Sequence, residues 1–191
     1  MSPRTEEQFE EIRSAKRKLI LDTALEMFAN EGYYPTSISK IANAAGISKG
    51  LIYNYFKSKE EIIRTIIMQG LNDLAAFFDP DKDGILTREE IGYFIEGIFE
   101  TVKRDQHFWK LYFTIFMQPP VLRLVEKPLT RLINSSLGML TEYFKNQGYD
   151  DPQTEAILLG AILDGIGFHF VINPEGFPSD KVKEKILKMY S

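Results

Sequence analysis

The sequence contains no cysteine and only two histidines, His107 and His169. Disulfides and thiolate metal sites are therefore excluded. The histidines have no metal-type partner nearby in sequence, which argues against a transition-metal centre. A thiol-free chain fits a reducing cytoplasm. Long apolar runs are missing as well. A membrane-spanning helix needs about 18 or more consecutive apolar residues, and the longest apolar zone, 156–172, is interrupted by Asp164 and His169. The opening MSPRTEEQFEEIRSAKRK lacks the apolar stretch of a secretory signal. There is no nucleophile motif, no phosphate-cradling glycine loop and no suggestive acid–base pair, so the expectation is that the chain is not an enzyme.

A basic excess is also lacking: the formal net charge is −4. It is unevenly divided. Residues 1–58 hold 8 Lys+Arg against 7 Asp+Glu, whereas 59–191 hold 15 against 20. The acidic part can maintain solubility while a local patch meets phosphate. A patch so small implies weak, salt-sensitive non-specific binding to nucleic acid. With 44% hydrophobic and 26% charged residues in 191, the chain can build one good core or two small ones.

Every periodic segment reads as helix. Residues 1–8 are polar and expected to fray. From Phe9 to Asn30 apolar residues recur at three- and four-residue spacing, ended by Gly32. Ser58, with Glu61 three residues on, reads as a capping box opening a helix to about Phe78. Further helices are expected over about 87–104, 105–118, 121–147, 152–172 and 179–190, punctuated by Pro119-Pro120, Asp151-Pro152, Asn173-Pro174 and Pro178. No stretch alternates as a strand would. The fold class is all-α: a small N-terminal three-helix head, 1–58, and a larger C-terminal helical body, 59–191, entered through a linking helix, 59–78.

The densest information lies in TSISKIANAAGISKGLIYNYFKSKEE, residues 36–61. Ile38, Ile41 and Ala42 make one apolar stripe; Ile47, Leu51, Ile52 and Phe56 make another. Ala45-Gly46-Ile47 makes the tight turn between them, with glycine where a left-handed residue is needed. If the stripes close on each other, Lys49, Gly50, Tyr53, Asn54 and Tyr55 face outward. That is a helix-turn-helix pattern, and its outer face suits the major groove of double-stranded DNA. Ser48 should cap the second helix and leave its first amides free for a phosphate.

This segment resembles the N-terminal domain of the tetracycline-repressor (TetR) family of transcriptional regulators. The resemblance rests on Ala24, Phe28, Gly32, Thr36, Ser37, Ile38, Ile41, Ala42, Ala45, Gly46, Ser48, Gly50, Tyr53, Tyr55, Phe56, Lys59 and Glu60. It implies backbone contacts to DNA from Thr36, Ser37 and Lys59, with specificity from Lys49, Gly50, Tyr53 and Asn54. It also implies a homodimer joined through the last two long helices of each subunit, reading a palindrome, and a small-molecule effector bound in the body. In this sequence those helices carry Gly160, Ala161, Gly165 and Gly167 on one, and Val182, Ile186, Leu187 and Met189 on the other. Pocket candidates are Tyr93, Phe94, His107, Trp109, Tyr112, Phe113, Phe116 and Asp164, with Gln106, Gln118 and His169 as further polar groups. An aromatic stripe at helical spacing reads equally as plain core.

A second motif stands apart. Asp79–Glu90, DPDKDGILTREE, satisfies the calcium-loop pattern D-x-[DN]-x-[DN]-G-x5-E and resembles an EF-hand. Asp79, Asp81, Asp83, the Ile85 carbonyl, Thr87 and Glu90 are the candidate ligands. The same residues also read as a turn followed by a Thr87/Glu90 capping box, which leaves the three alternating aspartates unexplained. The sequence is thus read as a DNA-binding transcriptional regulator, a repressor released by a small-molecule effector and modulated by calcium. The alternative is a calcium-binding helical interaction protein.

Overall fold

The computed structural model describes residues 5–173 and 175–191. Among them the chain is all-helical, as the periodicity predicts. The helices are α1 (Glu6–Glu31), α2 (Ile38–Ala44), α3 (Lys49–Tyr53), α4 (Lys59–Ala75), α5 (Arg88–Arg104), α6 (Gln106–Phe116), α7 (Pro119–Asn146), α8 (Pro152–Ile172) and α9 (Ser179–Tyr190).

Capping explains where the pattern is misread. Residues 1–4 and Pro174 lie outside the described residues. Residues 5–8 are not frayed: Thr5 and Gln8 form a capping box, with Gln8 N–H donating to Thr5 Oγ1 at 3.3 Å and Thr5 N–H to Gln8 Oε1 at 3.2 Å. The break between two helices falls at Pro119-Pro120 as expected, but the pair lies inside the second of them as the first two residues of α7, where a missing N–H costs nothing. The Ser58 box is half formed. Its hydroxyl accepts from Glu61 N–H, but the Glu61 carboxylate takes the Lys57 N–H instead.

The chain divides into two compact units, and the division does not fall at the end of the motif. The first comprises residues up to Met68 together with Thr114–Val125; the second comprises Gln69–Phe113 and Glu126–Ser191. In the first, Ile20, Ala24, Phe28, Ile41, Ile52, Ile62, Ile63, Ile67, Ile115, Val121 and Val125 are fully buried. Helices α1, α2 and α3 pack in succession. In the second, α5 lies against α8 and α9. Its core joins Phe78, Ile91, Ile95, Phe144, Leu159, Ile186 and their neighbours. Ile186 is buried there, with Val182 and Leu187 packed against the same core. Most of the apolar face of α9 is thereby turned inward, although Met189 stays 48% exposed.

Two glycines mark close approaches in the second unit. A Cβ on Gly97 would fall inside the Phe77 ring, and one on Gly70 inside the Tyr112 ring. Phe77 is half-exposed and can swing away, whereas Tyr112 is only 2% exposed and cannot. Gly70→Ala is therefore expected to force α4 off α6 and destabilise by about 1–3 kcal/mol, read as a lowered thermal midpoint, although alanine is the better helix former.

Candidate nucleic-acid interface

The helix-turn-helix assembles from three local devices. Ser37 caps α2, its hydroxyl accepting from Lys40 N–H at 3.2 Å. Gly46 takes φ 64°, so the chain reverses while Ala45 and Ile47 amides reach back to the Ile41 and Ala42 carbonyls at 2.9 and 3.0 Å. Ser48 caps α3, accepting from Leu51 N–H at 3.1 Å. Ile52 and Phe56 then bury against the head, which leaves Lys49, Gly50, Tyr53 and Asn54 exposed and Tyr55 half-buried. The second motif helix is shorter than its pattern implied: α3 ends at Tyr53, and Asn54 and Tyr55 follow in a tightening turn. Lys49 Nζ lies 6.0 Å from the Tyr53 ring centre, an exposed basic-aromatic pair.

Gly50 is not required by the fold. It lies outside the left-handed region, and the nearest atom to an added Cβ would be Ser48 Oγ at 4.0 Å. Gly46 differs, since its φ alone makes a side chain strained.

Thr36 and Lys59, expected at the DNA backbone, are turned elsewhere. Thr36 is fully buried and its hydroxyl donates to the Gly32 carbonyl at 2.9 Å. Lys59 Nζ donates to the Tyr33 and Thr36 carbonyls, each at 2.9 Å, and to the Tyr34 carbonyl at 3.4 Å. Three ammonium protons meet three carbonyls, and the charge sits 4.2 Å over the Tyr33 ring centre. Burial lowers the Lys59 pKa from its ordinary value. Ser37, by contrast, is exposed.

Residues that the sequence pattern missed complete this network. Tyr33 is 6% exposed; its hydroxyl donates to Glu60 Oε1 at 3.0 Å and its N–H to Gln118 Oε1 at 3.0 Å. Gln118 Nε2 donates to the Phe28 carbonyl at 3.1 Å. Gln118 therefore belongs to the head's network and not to the pocket group in which its polarity placed it. Burial, and then the Glu60 carboxylate, push the Tyr33 phenol well above its usual range. The Glu60 carboxyl is held below its ordinary value, first by its own backbone amide, then by Ser58, with Tyr33 and Lys59 adding.

The aspartate loop is the second candidate. Carboxylate oxygens of Asp79, Asp81 and Asp83 all lie within 4.8 Å of one another. Asp79 Oδ2 accepts from Gly84 N–H, Asp81 Oδ1 from Asp83 N–H, and Asp83 Oδ1 from Ile85 N–H, at 3.2, 3.2 and 2.7 Å. Lys82 and Gly84 take φ 61° and 81°. Asp79 Oδ1 is buried with no hydrogen-bond partner among the described residues. Glu90 is not in the cluster. Its Oε2 accepts from Thr87 N–H and Oγ1 at 2.8 and 2.9 Å in the capping box.

The body's pocket candidates are dispersed. Trp109 and Tyr112 are buried, and Trp109 Nε1 donates to the Thr101 carbonyl at 3.1 Å. Tyr93 and His107 are exposed, and Phe94 packs edge-on to Phe78. Phe116 belongs to the first unit. Asp164 is exposed on α8, where apolar surroundings push its carboxyl up. A shallow apolar niche, partly open to solvent and with room for about one water molecule, is lined by Ile98, Phe99, Val102, Ile166 and Gly167. Of the candidates, Phe113 comes nearest, its ring 3.4 Å from where a Cβ on Gly167 would sit. No described helix is long and apolar enough to cross a membrane.

Comparison with known proteins agrees with this architecture. Residues 20–66 match the family of bacterial regulatory proteins, tetR family, so the chain carries a TetR N-terminal domain. It is 28% identical over 148 residues to the fatty acid metabolism regulator protein of Bacillus subtilis (strain 168), covering 77% of this chain and 71% of that protein. It is 26% identical over 175 residues to the HTH-type transcriptional regulator BetI 1 of Chromohalobacter salexigens, covering 88% and 85%. The fold is similar to that of FadR from Bacillus subtilis, solved in complex with stearoyl-CoA, at TM-score 0.68 and 22% identity, covering 91% of this chain and 96% of that one. These relatives are transcriptional regulators, not enzymes.

The Glu60 network has a pH signature. A carboxyl whose folded pKa lies below its ordinary 4.5 contributes stability above that value and loses it as pH falls through the folded pKa. Thermal midpoints of wild type and Glu60→Gln should therefore differ most above pH 4.5 and converge in more acidic buffer.

Proposed function

We propose that this protein is a cytoplasmic, TetR-type transcriptional repressor that binds a palindromic operator in double-stranded DNA as a homodimer and is released by an apolar small molecule. The head, 1–58, reads DNA; the body, 59–191, dimerises and takes the effector. The observation that carries this reading is the face of α3. Gly50 has room for a side chain within the protein, so its bareness is accounted for by something outside it, and Lys49, Tyr53 and Asn54 stand beside it. Phosphate contacts from Ser37, Tyr55 and the amides behind Ser48 would fix register, and Lys49, Tyr53 and Asn54 would meet base edges.

Dimerisation is supported by α8. Ile157, Leu158, Phe168 and Ile172 are 51%, 44%, 46% and 63% exposed, and nothing stands within 4 Å of a Cβ on Gly160 or Gly165. Small and apolar residues on one helix face favour close approach of a second copy. The apolar niche and the relatives named for fatty acid metabolism favour an acyl chain as effector. Because ligand pockets usually enclose about 300–1,000 Å³, far more than this niche now offers, binding would require α5 and α8 to part.

The buried, unbonded Asp79 Oδ1 favours a second element, a calcium ion on the aspartate loop. Three clustered carboxylates offer hard oxygens. Glu90 would have to leave Thr87 to complete the set, so affinity on the order of 10⁻⁴ M is expected. The competing class, a calcium-responsive helical interaction protein, predicts a calcium-driven change without DNA binding.

Fluorescence anisotropy with DNA from the protein's own promoter tests the reading, in EDTA and then in millimolar calcium. Gly50→Ala should leave the thermal midpoint unchanged or raised yet weaken operator binding at least about tenfold, a loss of about 1.4 kcal/mol. Stearoyl-CoA is the first release probe. Equal affinity of Gly50→Ala and wild type would refute the assignment of α3, and calcium-independent binding would make the aspartate loop purely structural. For the dimer, Leu158→Asp should halve the mass seen by sedimentation; a monomeric wild type would sink that part.

A further inference from the structure

The loop joining α1 to α2 is gripped from two directions. From α4 come Lys59, on three of its carbonyls, and Glu60, on the Tyr33 hydroxyl. From 85 residues further along the chain comes Gln118, in the turn between α6 and α7. One planar amide does two things there: it accepts from Tyr33 N–H at 3.0 Å and donates to the Phe28 carbonyl at 3.1 Å. Phe28 is in the last turn of α1, and its carbonyl already accepts from Gly32 N–H. Gln118 thus closes the C-terminus of α1 and fixes the first residue of the loop after Gly32.

Only an amide fits this role. A glutamate can accept from Tyr33 but cannot donate to Phe28 when ionised; a methionine of similar length does neither. The turn that presents Gln118 is itself anchored, since Ile115 and Val121 on either side are fully buried. Segment 114–125 runs without interruption into α6 before it and α7 after it, and both helices extend into the second compact unit. Gln118 is therefore joined through the chain itself to both helices. From Tyr33 the connection runs on to Thr36 and Ser37, the residues that enter and cap α2.

We infer that Gln118 is a positioning residue for the helix-turn-helix, coupling the α6–α7 turn to the α1–α2 loop by a route separate from the linking helix α4. The inference deepens the DNA-binding reading and rests on it for its functional consequence. The Gln118 amide bonds Tyr33 and Phe28, not α3, so its loss should change the placement of the reading head and not the number of phosphate contacts.

The full-length protein, wild type, Gln118→Met and Gln118→Glu, would be compared by operator anisotropy across a salt series, by hydrogen exchange and by thermal unfolding. Gln118→Met is expected to weaken operator binding about tenfold at a temperature well below unfolding. The slope of log affinity against log salt should not change. Exchange should be faster at Tyr33 and in α2. Gln118→Glu, keeping the Tyr33 bond, should fall between the two. A lowered thermal midpoint with unchanged affinity and unchanged exchange in 33–56 would overturn the inference and leave Gln118 a structural residue. If wild type bound no promoter DNA, the functional reading would fall instead. The coupling would then be judged on exchange alone: faster exchange in 33–56 in Gln118→Met supports it, and identical exchange overturns it.

Discussion

Much of the first compact unit is arranged around one task, bonding the backbone groups of the partly buried loop between α1 and α2. Tyr33 is 6% exposed and Thr36 not at all, while Tyr34 between them is 70% exposed, so it is around Tyr33 and Thr36 that the backbone is shielded from water. An unpaired buried backbone group costs on the order of 1–3 kcal/mol. The solution is one ammonium, one amide, one hydroxyl and one carboxylate. Lys59 serves three carbonyls, Gln118 one amide and one helix-end carbonyl, Thr36 the Gly32 carbonyl, and Glu60 the Tyr33 phenol. Burying a lysine is costly, and its lowered pKa records that cost. It persists because each proton is matched by an acceptor. The loop fixes where α2 begins, and α2 fixes where α3 stands.

The exposed face of α3 contrasts with this crowding. Its polar and aromatic groups are not required by the packing, and Gly50 has free space around it. In the body the positions are reversed. The glycine that matters there, Gly70, is required by the buried Tyr112 ring packed against it, while the dispersed aromatic residues mostly build core. The aspartate loop sits outside both patterns. Its backbone is organised by its own carboxylates, and its one buried, unbonded oxygen has no partner among the described residues.

The helical architecture was legible because its signals are local. Apolar residues at three- and four-residue spacing, Gly32, Gly46, Ser37, Ser48 and Thr87 each act within a few residues, and each does what its position implied. Local signals also misled where two readings shared them. A proline pair ends one helix or opens another by the same chemistry, and at Pro119 it opens α7. Thr36 and Lys59 have the composition of phosphate contacts, but a hydroxyl or an ammonium bonds a buried carbonyl equally well. Nothing in the residues themselves decides between these partners.

By itself the sequence determined the helices, the turn of the helix-turn-helix, the capping residues, the aspartate spacing and the unequal division of charge, because these depend on neighbours within about one or two turns. Only the tertiary structure decided that Gln118 belongs to the head, 85 residues from the amide it bonds, and that Lys59 faces inward. It alone turned most of the apolar face of α9 into the core, and decided which apolar residues of α8 are buried and which, Ile157, Leu158, Phe168 and Ile172, stay exposed. Those outcomes depend on which surfaces meet across long separations, and burial and hydrogen-bond satisfaction settle that for the folded chain as a whole.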